Sequence, residues 1–341
     1  MSSTSLKTKL SVWENGHETV SELYMRLFRD IYGRTNEELG FPAEPEDSEL
    51  LELRSRLTLA RTVDADTVEL FRRQVDDARH VDQRFGGITL LDQLRSSIKQ
   101  VEAILNYSAG RGWRQELAGV LTQASTLAGW VALDRYAVGQ AWAHYERAKA
   151  AAREAGSTAL LAHATAEQAF VLIDIGETAQ AVEQLAEARR LAEHTTPLLT
   201  AWLAAAHGEG LAAASIRGEA LRAFDDAQAL LPSNPVDPEL PFVFLGGVHL
   251  DRWRGNAVAQ LGEPDAIAQL TEALSRLPST FVRAKTRMLV DLAFSHAAAG
   301  DRDAALDYSR QARRLGSQIK SDRQLRRLGG LILPGGTSGV A

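Results

Sequence analysis

The chain has 341 residues, no cysteine and a formal net charge of −6, with 45% hydrophobic and 24% charged residues. A sequence without cysteine excludes disulfide bonds, thiolate metal ligands and a cysteine nucleophile, and its negative charge gives no general attraction for nucleic acid. No run approaches the ~18 consecutive apolar residues of a membrane span, and the first residues lack the apolar core of a secretory signal, so we expect a cytoplasmic protein.

The first 43 residues contain two predicted helices and a short closing turn. Residues Leu6–Glu14 form a short helix that ends at Asn15-Gly16, a common helix stop. The second helix is amphipathic, and its predicted apolar face consists of Val20, Leu23, Leu27, Phe28 and Ile31. Two predicted Thr-x-x-Glu capping boxes start this helix and the closing turn: Thr19 with Glu22, and Thr35 with Glu38.

The segment LKTKLSVWENG, the amphipathic helix and then GRTNEELGF resemble the second half of the Xre-type, lambda-repressor-like helix-turn-helix domain. The resemblance covers about Leu6–Phe41 and implies that Leu10 and Trp13 pack inward. It also implies that four polar side chains on the recognition helix face DNA: Lys7, Thr8, Lys9 and Ser11. The two preceding helices of that domain have no counterpart in Met1–Ser5, so we expect an N-terminally truncated domain.

Residues 44–65 form a predicted linker, and a helical-repeat domain follows over residues 66–328. Its first two helices are predicted at Asp66–Phe85 and Leu90–Tyr107, with Asp66 as the capping residue of the first. These two helices match the repeat pattern poorly. We expect them to be a degenerate unit that caps the array.

From about Gln115 the chain repeats a pattern of a small residue, a bulky residue four positions later and a small residue three positions after that. The five clear matches begin at alanines that are mostly about 40 residues apart: Ala141, Ala181, Ala220, Ala266 and Ala305. The pattern is similar to the tetratricopeptide repeat, whose helix pairs stack into a right-handed superhelix. The fold prediction is therefore an all-α protein in which an α-solenoid follows a small helix-turn-helix-like segment.

A proline-rich segment interrupts the array between its third and fourth units. The sequence LLPSNPVDPELPF contains Pro232, Pro235, Pro238 and Pro241. Proline restricts the backbone and cannot continue a helix, so the segment is predicted to be a stiff linker or a break in the superhelix.

Stacked helix pairs form a concave groove lined by their first helices. The repeat register places these residues on or near that groove: Trp130, His163, Phe170, Asp174, Trp202, Glu209, Asp251, Arg287 and Phe294. Aromatic faces with mixed charge suit a peptide, a small signalling molecule or a protein partner. Each aromatic side chain is equally consistent with packing between repeats.

The whole chain resembles actinobacterial regulators that join an Xre-type helix-turn-helix domain to a tetratricopeptide sensor. This resemblance implies a ligand- or peptide-responsive transcriptional regulator that acts as a homodimer, since two DNA half-sites need two readers. The alternative is a protein-protein interaction adaptor without autonomous DNA binding. It is motivated by the truncation and by residues 1–40, which carry five basic and six acidic side chains.

The sequence contains no Walker-type, dinucleotide-binding, zinc-protease or serine-hydrolase motif. We therefore expect no catalytic residue, no metal site and no cofactor. His163 and Glu167 are four residues apart on one helix, and an exposed polar pair is the expected arrangement. Residues 329–341 are predicted to form a flexible tail.

Overall fold

The computed structural model describes residues 3–42, 48–87, 90–107, 111–237, 240 and 242–334. These residues form sixteen helices and no strand, so the predicted all-α class is confirmed for the described part of the chain. None of its helices is both long and apolar enough to cross a membrane. The chain divides into two compact units, Met1–Thr58 and Leu59–Ala341.

The first unit is built around aromatic contacts between two helices. Its elements are α1 (Ser3–Glu14), α2 (Glu22–Tyr32) and most of α3 (Ser48–Arg61). The centroid of the Trp13 ring lies 4.8 Å from that of Tyr24 and 6.3 Å from that of Phe28. Phe28 also lies 5.7 Å from the Phe41 ring, and such pairs stabilise a small helical unit.

One of the two predicted capping boxes is present. The Thr35 backbone N–H donates to Glu38 Oε2 at 3.0 Å, and the Glu38 backbone N–H donates to Thr35 Oγ1 at 3.3 Å. The box predicted at Thr19 is wrong, because α2 begins at Glu22 and Ser21 occupies its N-cap position without a side-chain hydrogen bond.

The apolar face predicted for α2 is largely exposed. Leu23 is 67% exposed and Ile31 is 70% exposed, whereas Tyr24 and Phe28 make the contacts with Trp13. The helix therefore packs through its aromatic side chains and leaves much of its aliphatic stripe in contact with solvent.

The predicted linker over residues 44–65 contains a helix. Helix α3 forms there because Leu, Glu and Arg favour helix, even though the apolar residues of this segment do not form one stripe. The next helix, α4, begins at Ala65, and its N-cap is Asp64 instead of the predicted Asp66. The Asp64 carboxylate accepts a hydrogen bond from the Thr67 backbone N–H at 2.8 Å.

The second unit consists mainly of consecutive helix pairs. Its helices are α4 (Ala65–Phe85), α5 (Leu90–Leu105), α6 (Arg111–Asp134), α7 (Val138–Ala155), α8 (Thr158–Asp174), α9 (Thr178–Leu191), α10 (Pro197–Ala213), α11 (Arg217–Leu230), α12 (Val248–Gln260), α13 (Ala266–Arg276), α14 (Val282–Ala298), α15 (Arg302–Ile319) and α16 (Asp322–Gly329). From α6 to α15, each even-numbered helix packs on the odd-numbered helix that follows it, and the even-numbered helices of adjacent pairs also contact each other.

Small residues allow these helices to cross at short distance. The first alanine of each repeat match is fully buried: Ala141, Ala181, Ala220, Ala266 and Ala305. A Cβ atom added to Gly129 would lie 2.8 Å from the Tyr145 ring, and one added to Gly208 would lie 2.8 Å from the Phe224 ring. In these two matches the bulky residue therefore fills the space that a glycine of the preceding helix leaves open.

The segment between α11 and α12 packs into the unit. Leu240, Val243 and Leu245 are buried, and a Cβ atom added to Gly246 would lie 2.2 Å from Pro235 Cγ. The predicted break is wrong for the described part of this segment, because α10 packs on α12 across it and its apolar residues join the core. Two of the four prolines of this segment, Pro238 and Pro241, lie outside the described residues.

The last helices of the second unit contact its first helices. Helix α14 packs against α4, and α16 contacts both α14 and α6. Residues 331–334 of the predicted tail are not helical. Residues 335–341 of the tail lie outside the described residues.

Candidate functional site

A cavity of about 210 Å³ lies within the second unit. It is bounded by α4, α6, α8, α10, α12, α14 and α16, together with the segment that precedes α12. Its aromatic side chains are Trp130, Phe170, Trp202, Phe242, Phe244, Trp253 and Phe281. Its ionisable side chains are Arg79, Asp82, Asp134, His163, Glu167, Glu209, Arg252, Arg283, Arg287 and Arg323.

Four of these aromatic side chains and His163 form one connected wall. The Trp202 ring centroid lies 4.9 Å from that of His163 and 5.4 Å from that of Trp253. Trp253 in turn meets Phe170 edge to face at 6.3 Å, and His163 lies 4.6 Å from Phe242. Helices α8, α10 and α12 and the segment before α12 thus contribute to a continuous apolar surface.

Arg283 on α14 joins two carboxylates from the first helices of the unit. It donates a hydrogen bond to Asp82, and its Nη1 lies 2.9 Å from Asp134 Oδ2. Asp134 also accepts a hydrogen bond from Ser321 Oγ at 2.6 Å. Burial raises the pKa of Asp82 to about 6, against the opposing effect of Arg283.

Two further arginines are matched by acidic partners. Arg323 on α16 binds Asp174 with two nitrogen–oxygen contacts of 2.7 and 2.6 Å. Arg287 on α14 donates to Glu209 and lies 3.8 Å from Asp291. These pairs hold guanidinium groups in the wall of the cavity, where an unpaired charge is strongly destabilising.

Arg252 on α12 differs from these arginines. Its Nε donates to His249 Nδ1 at 3.2 Å, and its guanidinium lies 5.8 Å from the Trp253 ring centroid. Among the described residues, no carboxylate oxygen lies within 4.0 Å of its nitrogens. Burial, and next the nearby Arg287, lower the pKa of Arg252 to about 9.

Arg79 on α4 lies at the Phe242 end of the aromatic wall. Its guanidinium lies 4.2 Å from the Phe242 ring centroid, a cation–π distance, and Nη1 lies 3.3 Å from Asp76 Oδ1. Burial lowers its pKa to about 10. Arg79 thus combines a carboxylate partner with an aromatic one.

His163 is buried in the cavity wall and only 15% of the Glu167 side chain is exposed, which corrects the expectation of an exposed pair. Their closest nitrogen and oxygen atoms are 3.7 Å apart. Burial, and next Arg79, lower the pKa of His163 to about 3, so the ring is neutral at pH 7. Burial raises the pKa of Glu167 to about 7, while Tyr145 donates a hydrogen bond to its carboxylate at 3.3 Å.

Six of the nine groove residues predicted from the sequence line this cavity: Trp130, His163, Phe170, Trp202, Glu209 and Arg287. Asp174 stands behind the lining and holds Arg323. Asp251 lies outside the lining and pairs with Arg276 at 2.7 Å. Phe294 also lies outside it and packs against a hydrophobic cluster that includes Leu289.

Sequence reasoning missed lining residues that the repeat pattern does not reach. Arg79, Phe242 and Arg323 belong to elements before, between and after the repeat matches. On α12 the sequence pattern pointed to Asp251, whereas the next two residues, Arg252 and Trp253, line the cavity. The prediction was therefore one to two positions out of register on this helix. The adjacent aromatic and basic residues in DRWRG were the available signal.

The DNA-binding residues implied by the resemblance lie on α1. Lys7, Thr8 and Ser11 are exposed. Lys9 is partly buried, with Nζ 5.8 Å from the Trp13 ring centroid and 5.5 Å from that of Tyr24. A lysine over two aromatic rings has less freedom to reach a phosphate than its exposed neighbour Lys7.

Within the described residues, no three His, Asp or Glu side chains are grouped as metal ligands would be. No protein-family model matches the chain, and no curated protein shows significant similarity to it.

Proposed function

We propose that this protein is a ligand-responsive regulatory protein of the tetratricopeptide-repeat type, and that it acts on transcription. A small amphipathic ligand binds in the cavity of the second unit. The first unit, with its resemblance to a helix-turn-helix segment, contacts DNA, and ligand binding changes its affinity.

The observation that carries the binding function is a space lined by charged and aromatic side chains in the interior of a stack of helices. A cavity lowers stability because its lining loses van der Waals contacts. A buried ion pair often stabilises the folded protein no more than apolar residues of the same volume would. Stability alone therefore does not account for this lining, whereas ligand binding does.

The repeat assignment is supported by the small-residue crossings. Buried alanines recur at the same place in successive pairs, and Gly129 and Gly208 face the bulky residues Tyr145 and Phe224. Such repetition is typical of arrays in which each pair packs on its neighbours.

Ligand binding can be tested by tryptophan fluorescence. Trp130, Trp202 and Trp253 line the cavity, whereas Trp142 is exposed elsewhere. Small amphipathic compounds that raise the melting temperature are expected to change the emission of the wild-type protein. This change should persist in Trp142→Phe and fall in Trp202→Phe. If no compound class raises the melting temperature or alters the emission, the ligand-binding function is wrong.

The transcriptional role is tested separately by a gel shift at low salt with the DNA upstream of the gene itself. We expect a shift that a stabilising compound strengthens or weakens. A shift that is unchanged by the compound would separate DNA binding from ligand sensing.

A second candidate function, a protein-protein interaction adaptor, is favoured by the exposed aliphatic stripe of α2. Leu23, Leu27 and Ile31 lie one helical turn apart on one face, and exposed apolar patches commonly mark protein contacts. In this case the gel shift is absent at every salt concentration. Leu27→Glu then abolishes binding to a protein partner without changing the melting temperature.

A further inference from the structure

The arginines that line the cavity differ in whether they have a carboxylate partner. Three arginines of the α14 and α16 wall each have carboxylate partners: Arg283, Arg287 and Arg323. Arg79 has Asp76 and the Phe242 ring. Arg252 has a histidine nitrogen and a tryptophan ring, with no acidic side chain within salt-bridge distance in the described part of the chain.

The surroundings of Arg252 favour an anion. Besides His249, the charged groups that act on Arg252 are Arg287 and Glu209, and these two already pair with each other. His249 accepts from Arg252 Nε through Nδ1, which leaves the two terminal nitrogens for another acceptor. A guanidinium with free terminal nitrogens matches the two oxygens of a carboxylate.

The neighbouring surface favours an apolar body with a ring. Trp253 follows Arg252 in the chain, and its indole contacts both Trp202 and Phe170. A ligand that places its anionic group at Arg252 therefore meets three aromatic side chains directly. Offset or edge-to-face contacts with such rings stabilise a planar ligand.

The cavity volume limits the size of the ligand. A space of about 210 Å³ is somewhat larger than the ~150 Å³ cavity that admits benzene. One or two fused rings with a short side chain fit in this space.

We propose that the ligand is a small carboxylate with a ring-sized apolar body, held by a bidentate contact from Arg252 and by the aromatic wall of Trp253, Trp202 and Phe170. This inference rests on the proposed ligand-binding function and specifies the chemical class of the ligand.

The test compares acids with uncharged and cationic analogues of equal shape. Indole-3-acetate, phenylacetate and octanoate are titrated into the full-length protein by calorimetry, each beside its amide and the corresponding amine. We expect indole-3-acetate or phenylacetate to bind at least about tenfold more tightly than its amide, and the amines to bind most weakly.

Three substitutions on α12 assign this preference to a residue. Arg252→Gln should weaken acid binding about tenfold or more and leave amide binding within about threefold. The matched control is Arg254→Gln, since Arg254 lies outside the cavity and pairs with Asp225 at 2.7 Å; it should bind like the wild type. Arg252→Lys keeps the charge but not the bidentate geometry, so its preference for the acid should be intermediate.

The outcomes separate the two levels of the proposal. Equal binding of acids and amides by the wild type overturns the carboxylate assignment and leaves ligand binding intact, as does full acid affinity in a folded Arg252→Gln variant. If Arg252→Gln does not fold, the wild-type and Arg252→Lys measurements decide. If none of the nine compounds binds at millimolar concentration, both the assignment and the ligand-binding function are overturned.

Discussion

Arg323 on α16 forms a two-contact salt bridge with Asp174 on α8, which is 149 residues earlier in the chain. Only 7% of the Arg323 side chain and 10% of the Asp174 side chain are exposed. The pair therefore fixes the last helix of the second unit to the wall of the cavity, in an environment that screens charge poorly.

Removing one partner of this pair should strongly destabilise the protein. Arg323→Ala leaves the Asp174 carboxylate buried without its counter-ion, so we expect a loss of about 3 kcal/mol in the free energy of unfolding. Urea denaturation measures this loss. Arg190→Ala is the control, because the Arg190–Glu187 pair is exposed and should contribute less than about 1 kcal/mol. Similar losses in both variants would contradict a special role for the buried pair.

The glycine at a helix crossing should be intolerant of a methyl group. Gly208→Ala places Cβ 2.8 Å from the Phe224 ring and 3.2 Å from the Ala220 carbonyl oxygen, so we expect a destabilisation of about 1–3 kcal/mol. Gly139→Ala is the matched control on α7, because nothing lies within 4 Å of its added Cβ. Alanine favours helix, and this variant should be about 0.5 kcal/mol more stable than the wild type in thermal denaturation.

Glu167 should make the stability depend on pH. Its pKa rises from 4.5 to about 7 on folding, mainly through burial, so the folded state binds more protons than the unfolded state between these values. The stabilisation from this group is complete below about pH 4.5 and is lost as the pH rises through 7. Glu167→Gln should therefore gain stability relative to the wild type as the pH increases from 5 to 8.

The difference between these two proteins isolates Glu167 from other groups. His163 acts in the opposite direction between about pH 3 and 6.5, because its folded-state pKa is the lower one. Asp82, with its pKa raised to about 6, acts in the same direction as Glu167 at lower pH. Urea denaturation of both proteins at several pH values gives the difference. A constant difference from pH 5 to 8 would show that Glu167 titrates normally.

Lys7 should contribute to DNA affinity if the first unit binds DNA. We expect Lys7→Ala to weaken binding at all sequences and to reduce the slope of log affinity against log salt by about 1, the result of losing one phosphate contact. Fluorescence anisotropy with labelled DNA measures both quantities. Arg34→Ala is the control, because Arg34 pairs with Glu38 at 3.1 Å. Equal slopes for wild type and Lys7→Ala would exclude this contact.

The repeated alanines predicted the helix pairs well, because the packing that requires a small residue at each helix crossing depends on a short stretch of sequence. A buried small residue at a crossing recurs at a fixed distance from the bulky residue that fills the next space, as Ala141 and Tyr145 do. A sequence period is sufficient to find such positions. Most of the predicted inner-wall residues consequently line the cavity.

Residues outside the period could not be placed in this way. Phe242 follows a proline-rich segment, and its position depends on how that segment packs. Arg323 reaches the cavity because α16 contacts α6, a relationship between distant parts of the chain that no local pattern specifies. The exposed face of α2 shows the same limit. A helix with one apolar stripe is expected to bury that stripe, but α2 packs on Trp13 through Tyr24 and Phe28 and leaves its aliphatic side chains exposed.

The return of α14 and α16 to α4 and α6 has a consequence for how the second unit unfolds. In an open array the terminal repeats have one neighbour each, so they fray first and can be trimmed with little effect on the rest. Here α14 contacts α4 and α16 contacts α6, so deleting α16 would expose surface on α6 as well as on α14. The unit should therefore melt in a single cooperative transition, and shortening it at either end should weaken both ends together.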